Sequence, residues 1–343
     1  MLVLGVESSC DECAVAVVED GRRILSDIVA TQIPFHEKYQ GVVPEIASRT
    51  HLEWILGVAR ASLREAGIRS SDLDGVAATS RPGLIGSLLV GLSFAKGLAF
   101  AIGKPFVAVN HMLAHLYACQ LADGGKGAGA PYPYLGLLVS GGHSLIVRAL
   151  DFDSIEILGT TIDDAVGEAF DKVAKHYGYG YPGGLAIDQL AEKGDPLAFR
   201  FPRPNLHKGS HNYDVSYSGL KTAAIRQLEQ YRVPGAEASP ENIAASFRKA
   251  AMDILLERLF KAVDDTGLRR VVAGGGVAAN SYLRAVLSSR QGLEASFPPL
   301  RLCGDNGAMI AGIAYHYLAR GETSGLDSGV SARVPLYRKF KAS

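Results

Sequence analysis

Between residues 2 and 30 the chain sets out three short apolar runs separated by small polar turns, and between residues 134 and 161 it does so again. Leu2 to Glu7, Cys13 to Glu19 and Arg22 to Ala30 read as strands, joined by Ser8-Ser9-Cys10-Asp11-Glu12 and by the tight Asp20-Gly21 signal. Tyr134 to Val139, Leu145 to Leu150 and Ile155 to Thr161 repeat the order, with Ser140-Gly141-Gly142-His143-Ser144 as the first turn. A helix and further strands follow each meander. An echo of this kind predicts an α/β class fold made of two duplicated domains facing each other across a cleft.

The elements between the meanders fit that plan. Pro44-Glu45 opens an amphipathic helix stopped by Gly67, Gly75 to Thr79 reads as a strand, Ser87 to Ala101 as a helix and Phe106 to Val109 as a strand. After the flexible Asp123 to Gly129 loop and the second meander come helices at Asp163 to Tyr177, Leu220 to Tyr231 and Glu241 to Thr266. Arg270 to Ala273 is a strand running into Gly274-Gly275-Gly276 and a helix, and Cys303 to Gly307 opens a last helix ending near Gly321. At 343 residues about two domains are expected, divided as 1–109 plus 305–343 and 110–304.

Thirty-five basic and 35 acidic residues give zero formal charge, so charge alone announces no nucleic-acid partner. Two basic clusters stand out locally: Arg200, Arg203, His207, Lys208 and His211, and Arg333, Arg338, Lys339 and Lys341. Such clusters are more often solvated surface. The apolar run before Glu7 is too brief for a signal peptide, and Leu84 to Ile102, interrupted by Ser87, Ser93 and Lys96, reads as a buried helix. A cytoplasmic protein with no membrane partner is expected. Four scattered cysteines form no disulfide framework, and Cys10-x-x-Cys13 precedes a strand where a redox pair would precede a helix.

Chemistry concentrates at a few positions. His111 and His115 are four apart on a helix, so their rings share one face and can share a metal, although packed or surface histidines have the same spacing. Met112 stands where zinc peptidases of the His-Glu-x-x-His type carry their base. Asp305 sits where a helix N-cap would, and capping alone explains it equally well. Ser140-Gly141-Gly142 and Gly274-Gly275-Gly276, both at strand ends, let backbone N–H groups approach an anion; a lone glycine turn is usually only a turn, but two in a duplicated layout favour a nucleotide. Asp164, Glu168 and Asp171 fall on one helix face, either solvated or lining a cleft that receives ribose hydroxyls.

Taken together, Gly5-Val6-Glu7-Ser8-Ser9-Cys10-Asp11-Glu12, Gly41-Val42-Val43-Pro44-Glu45, Asn110-His111 to His115, Val139-Ser140-Gly141-Gly142-His143, Gly167 to Lys172, Ser218 to Thr222 and Asp305 to Met309 resemble the bacterial tRNA N6-adenosine threonylcarbamoyltransferase family over nearly the whole chain. The resemblance implies the duplicated actin, Hsp70 and sugar-kinase-like fold, with two lobes around a nucleotide cleft. It implies transfer of a threonylcarbamoyl group from its adenylate to N6 of the adenosine 3′ of the anticodon in tRNAs reading A-starting codons, releasing AMP. It further implies one Fe2+ or Zn2+ ion on His111, His115 and Asp305, and an ATP/AMP-type adenylate moiety on Leu138, Val139, Ser140, Gly141, Gly142, Asp171, Gly184, Asp188 and Asn280. Asp11 and Glu12, on the first meander turn, are the candidates for taking the N6 proton.

The expected partners are tRNA, threonylcarbamoyl-adenylate, a paralogous subunit and an ATPase subunit, with the helices around Ala47 to Ala66 as a docking surface. The chain departs from the family pattern at Arg81, Leu185 and Cys13, which bears on the loop shape near Arg81. A kinase or ATPase of the same fold would need no histidine pair, and a metallopeptidase would need a glutamate base and no adenine pocket.

Overall fold

Aliphatic and β-branched runs at the start of the chain make β1 (Leu2–Glu7), β2 (Glu12–Glu19) and β3 (Arg23–Thr31), followed by β4 (Gly75–Arg81) and β5 (Phe106–Asn110). They form one sheet in the order β3-β2-β1-β4-β5, with β1 antiparallel to β2 and parallel to β4. The computed structural model describes residues 1–39, 41–122, 129–204 and 211–334. This sheet belongs to one compact unit, Met1–Ala130 with the described residues from Pro298 onward; the other unit is Pro131–Phe297.

Both faces of the first sheet are covered, which is why β1 is buried from Val3 through Glu7. Leu4 and Val6 pack with Ile55 and Val58 of the helix Pro44–Glu65 and Leu92 of the helix Ile85–Ile102. Gly5 faces the opposite way, toward the helix Gly307–Ala319: a Cβ on Gly5 would lie 2.3 Å from the Ala311 nitrogen, and one on Gly307 2.5 Å from the Ala16 nitrogen. The two glycines therefore let helix and strand meet backbone to backbone. The helix Ile85–Ile102 is long and apolar enough to cross a membrane, yet Leu88, Leu92, Ala95 and Ala99 are buried on its inner side, which makes it a core helix of this unit.

The second unit repeats the plan. β6 (Tyr134–Val139), β7 (Ser144–Ala149), β8 (Ile155–Thr160), β9 (Arg270–Gly274) and β10 (Glu294–Ser296) are ordered β10-β9-β6-β7-β8, again with one antiparallel meander and two parallel additions. The echo in the sequence is thus a duplicated mixed sheet, as expected. Leu138 pairs with Gly274, so the two glycine turns leave the same edge of this sheet.

Several boundaries move for identifiable reasons. The helix expected from Asp163 begins at Val166, because Asp163 accepts from the Tyr217 amide at 2.8 Å and Thr161 Oγ1 donates to the Asp164 carbonyl at 2.5 Å, holding both acids in a turn. Asp164 consequently leaves the helix face it was expected to share with Glu168 and Asp171. The helix expected over Leu220 to Tyr231 is Ser218–Arg226 and Leu228–Tyr231, broken at Gln227, whose φ of −131° is not helical. Gly276–Ala279 is a single 3₁₀ turn, and the helix after the triple glycine starts only at Ser281, capped by Asn280. β10, with three residues and an exposed Glu294, has no apolar run by which to be read.

Candidate metal centre and nucleotide turns

β5 ends at Asn110, whose side chain accepts the Met112 amide at 2.9 Å and so starts the helix His111–Tyr117. His111 occupies its first position and His115 lies one turn on. The third ligand candidate comes from the loop before Gly307–Ala319, where Asn306 rather than Asp305 is the N-cap: Asn306 Oδ1 accepts from Met309 at 2.9 Å and its Nδ2 donates to Gly304 at 2.9 Å. The capping explanation of Asp305 is therefore wrong, and its carboxylate turns to the histidines.

His115 Nε2 lies 3.1 Å from His111 Nε2 and 3.1 Å from Asp305 Oδ1, with His111 Nε2 3.6 Å from the same oxygen. Donors each about 2.0–2.2 Å from a tetrahedral or octahedral ion lie roughly 3–3.5 Å apart, so the spacing fits one shared cation. Glu7 Oε2 sits 2.9 Å from His111 Nδ1, accepts from Thr79 Oγ1 at 2.5 Å, and its Oε1 accepts the Ser9 amide at 2.6 Å. An acceptor behind Nδ1 fixes the ring and leaves Nε2 bare for a metal. Sequence reading missed Glu7 and Thr79; the available signal was an acid closing an otherwise apolar strand.

The electrostatics ask for positive charge here. Burial pushes Asp305 up, but the charges of His111 and His115 override it and hold the carboxyl at about 2. Burial opposes a charge on His111, yet Glu7 and Asp305 push its pKa up to about 9. Glu12 is pushed up to about 10 by burial first and then by Asp305 and Asp11. His115, buried and beside His111, is held below the usual histidine range, and its Nδ1 meets no partner among the described residues. A cationic His111 held among these acids suits a bound cation, whose charge would take over from the extra proton on that ring. Burial pushes the Cys10 and Cys13 thiols up, Cys13 to about 12.

In the second unit, Asp188 accepts from Asn280 Nδ2, the Ser281 amide and Ser281 Oγ, each at 3.0 Å, and from Arg248 at 2.9 Å. Asp188 thereby ties Asn280, at the foot of its helix, to Gly183–Ala191. Asp171 accepts the Gly183 amide at 2.8 Å, which fixes the entry to Gly184. Gly275, at φ +90°, could carry no Cβ, since one would sit 2.3 Å from the Val139 carbonyl oxygen. Gly141, Gly142 and Gly184 differ: added Cβ atoms would meet nothing within 4 Å, so packing does not explain these glycines. Asp164 is neutralised by Lys172 at 2.8 Å and by Lys221, not left to repel Glu168.

Of the basic clusters, Arg203 is paired with Asp253 at 3.2 Å and Glu257 at 3.5 Å, and His211 with Asp214 at 2.6 Å. His207, Lys208, Arg338, Lys339 and Lys341 lie outside the described residues.

Known proteins place this arrangement. The chain is 61% identical over 339 residues to the tRNA N6-adenosine threonylcarbamoyltransferase of Treponema denticola, covering 99% of each chain. Among solved structures it is similar to full-length HypF in its phosphate- and nucleotide-bound form, with TM-score 0.59, 15% identity, 92% of this chain and 55% of that one. It is likewise similar to component A of the Acidaminococcus fermentans (R)-2-hydroxyglutaryl-CoA dehydratase, with TM-score 0.54, 15% identity, 93% of this chain and 99% of the other. At that identity the two structures speak for the fold alone, the duplicated actin, Hsp70 and sugar-kinase type. Residues 23–312 match the family described as TsaD, tRNA N6-adenosine threonylcarbamoyltransferase, and with the relative above this shows that the chain belongs to that family of t6A-forming transferases.

Proposed function

We propose that this transferase takes the threonylcarbamoyl group from threonylcarbamoyl-adenylate and places it on N6 of the adenosine 3′ of the anticodon in tRNAs reading A-starting codons. The bond from N6 to the carbamoyl carbon forms, the bond from that carbon to the phosphate oxygen breaks, and AMP leaves with the electron pair. The observation that carries this reading is the buried convergence of His111, His115 and Asp305, whose ligand atoms all lie within 4.8 Å of one another. A kinase or ATPase of this fold has no use for such a group. A metallopeptidase would need a glutamate at position 112, where the chain has Met112.

His111, His115 and Asp305 would hold one Fe2+ or Zn2+, which when bound supplies Lewis-acid stabilisation of negative charge on an acyl or phosphate oxygen. The chain's own residues do the rest. Glu7 holds the His111 ring by its Nδ1. The exocyclic amine is a weak nucleophile and must lose a proton as it is acylated. Asp11 and Glu12, at the turn between β1 and β2, are the groups that would receive it. Leu138 to Gly142, Asp171, Gly184, Asp188 and Asn280 form the adenylate-binding set, in which bare glycine backbone at Gly141, Gly142 and Gly184 admits the nucleotide closely.

tRNA is the substrate of this family, and its polyanionic backbone would be held electrostatically, so turnover falls as salt rises. A paralogous subunit and an ATPase subunit complete the machinery in the cytoplasm. Leu52 and Leu56, exposed on the helix Pro44–Glu65, offer the paralogue an apolar surface. The test is incubation of the chain with tRNA, threonine, bicarbonate, ATP, the adenylate-forming enzyme and the partner subunits. Threonylcarbamoylated adenosine in digested tRNA supports the reading; nucleotide hydrolysis without modified nucleoside would sink it.

A further inference from the structure

The turn that carries Asp11 and Glu12 is held by its carbonyls. Ser9 O accepts the Leu84 amide at 2.8 Å, Asp11 O accepts the Gln32 amide at 2.9 Å, and between them Cys10 O lies 3.0 Å from His51 Nε2. A carbonyl only accepts, so His51 must carry a proton on Nε2. Burial holds the His51 pKa below the ordinary histidine value, which disfavours a second proton on Nδ1. His36 Nδ1 accepts the Val43 amide at 3.3 Å, so that nitrogen is bare and its proton sits on Nε2.

Three fully buried polar atoms here meet no partner among the described residues: His36 Nε2, His51 Nδ1 and Gln32 Oε1. Their residues neighbour one another. The His36 amide donates to Gln32 O at 3.3 Å, Gln32 Nε2 donates to Ala47 O at 3.4 Å, and Ala47 lies one helical turn before His51. Leaving three such groups unsatisfied would be costly. By the tautomers just derived they are one donor and two acceptors, the complement of a single water molecule, which gives two protons and receives one.

We propose that one enclosed water accepts from His36 Nε2 and donates to His51 Nδ1 and Gln32 Oε1, and that His51, so locked, is a positioning residue holding the Cys10 carbonyl and hence the Asp11-Glu12 turn. The water bars a proton from His51 Nδ1, which keeps Nε2 as the donor to the turn. The kinetic consequence rests on the proton-acceptor reading of Asp11 and Glu12; the tautomers and the water do not.

The test uses the full chain labelled with 15N-histidine. Imidazole 15N–1H correlation spectra at pH 7, assigned with His36→Gln and His51→Gln, are expected to show both rings protonated on Nε2 alone, and His36→Phe is expected to move the His51 Nδ1 resonance. An Nδ1-protonated or doubly protonated His51, or a His51 signal indifferent to His36→Phe, overturns the proposal. In the transfer assay His51→Leu should lower kcat about tenfold with KM for tRNA changed less than about twofold, the scale of one lost hydrogen bond. His51→Gln, whose amide N–H can replace the Nε2 donor, should recover most of that loss. Equal activity of His51→Leu and the parent removes the positioning role even where the tautomers hold, which separates its failure from failure of the water or of the transferase reading.

Discussion

The two units share a strand order and differ in how they treat most of their acids. In the first, the buried Glu7 and the half-buried Asp27 and Asp305 lie among imidazoles, helix amides and one arginine, and Glu12 is pushed up to about 10 by burial and then by its acidic neighbours. In the second, Asp164 has Lys172 and Lys221, Asp188 has Arg248, and Asp253 has Lys249 and Arg203, while the buried Asp214 faces His211. In the first unit, His111, His115 and Asp305 form a group that could hold a cation from outside. The matching turns differ in the same sense, Ser8–Glu12 carrying carboxylates and Ser140–His143 carrying open backbone.

The sharpest attempt to break this comparison removes a ligand. His111→Ala or Asp305→Ala should abolish bound metal and cut threonylcarbamoyl transfer by at least about a hundredfold, with the circular dichroism spectrum unchanged. Metal content by mass spectrometry alongside the tRNA assay checks both halves. Asp188→Asn, in the second unit, should leave metal content at the parent level while weakening adenylate binding by about tenfold. Loss of metal from Asp188→Asn would mean the division of labour is misdrawn.

Two glycines of the second unit sharpen it further, because one serves the fold and the other does not. Gly275→Ala puts a methyl 2.3 Å from the Val139 carbonyl at φ +90° and should lower unfolding free energy by about 3 kcal/mol in denaturant titration. Gly141→Ala meets nothing within 4 Å and should change stability by less than about 0.5 kcal/mol, yet raise KM for the adenylate donor. Parent-like KM in Gly141→Ala would argue that the open turn receives no ligand.

What was legible in the sequence follows the range of the interactions. The meander echo is a local alternation of apolar residues, and it returned the central strands of both sheets to within a residue or two. The His111–His115 spacing is local too, and the pair does converge. Asp305 reads as the cap in the sequence, and the structure gives that role to its neighbour Asn306 while Asp305 faces the histidines. The Asp188–Asn280 and Glu7–His111 contacts join residues 92 and 104 positions apart, which no periodicity reports.

A last prediction tests whether burial or pairing governs the acids of the first unit. Asp27 accepts the Gly307 and Ala308 amides at 3.2 and 3.3 Å, at the N-terminus of the helix that carries the Asp305 loop, and pairs with Arg301 at 3.3 Å. Burial nonetheless outweighs those partners and pushes its carboxyl up to about 6. A folded pKa above the unfolded one means that folding favours the protonated form. The stability this contributes is complete below about pH 4 and is lost as the pH rises through about 6. The full span corresponds to about 3 kcal/mol, and solvent relaxation around a helix end should leave about 2 kcal/mol of it. Asp27→Asn keeps an acceptor for the helix amides and cannot ionise, so its unfolding free energy relative to the parent should rise by that amount between pH 4 and 7. A flat difference across that range would show that Arg301 and the helix amides fully compensate Asp27, and the first unit would then handle this acid as the second unit handles most of its own.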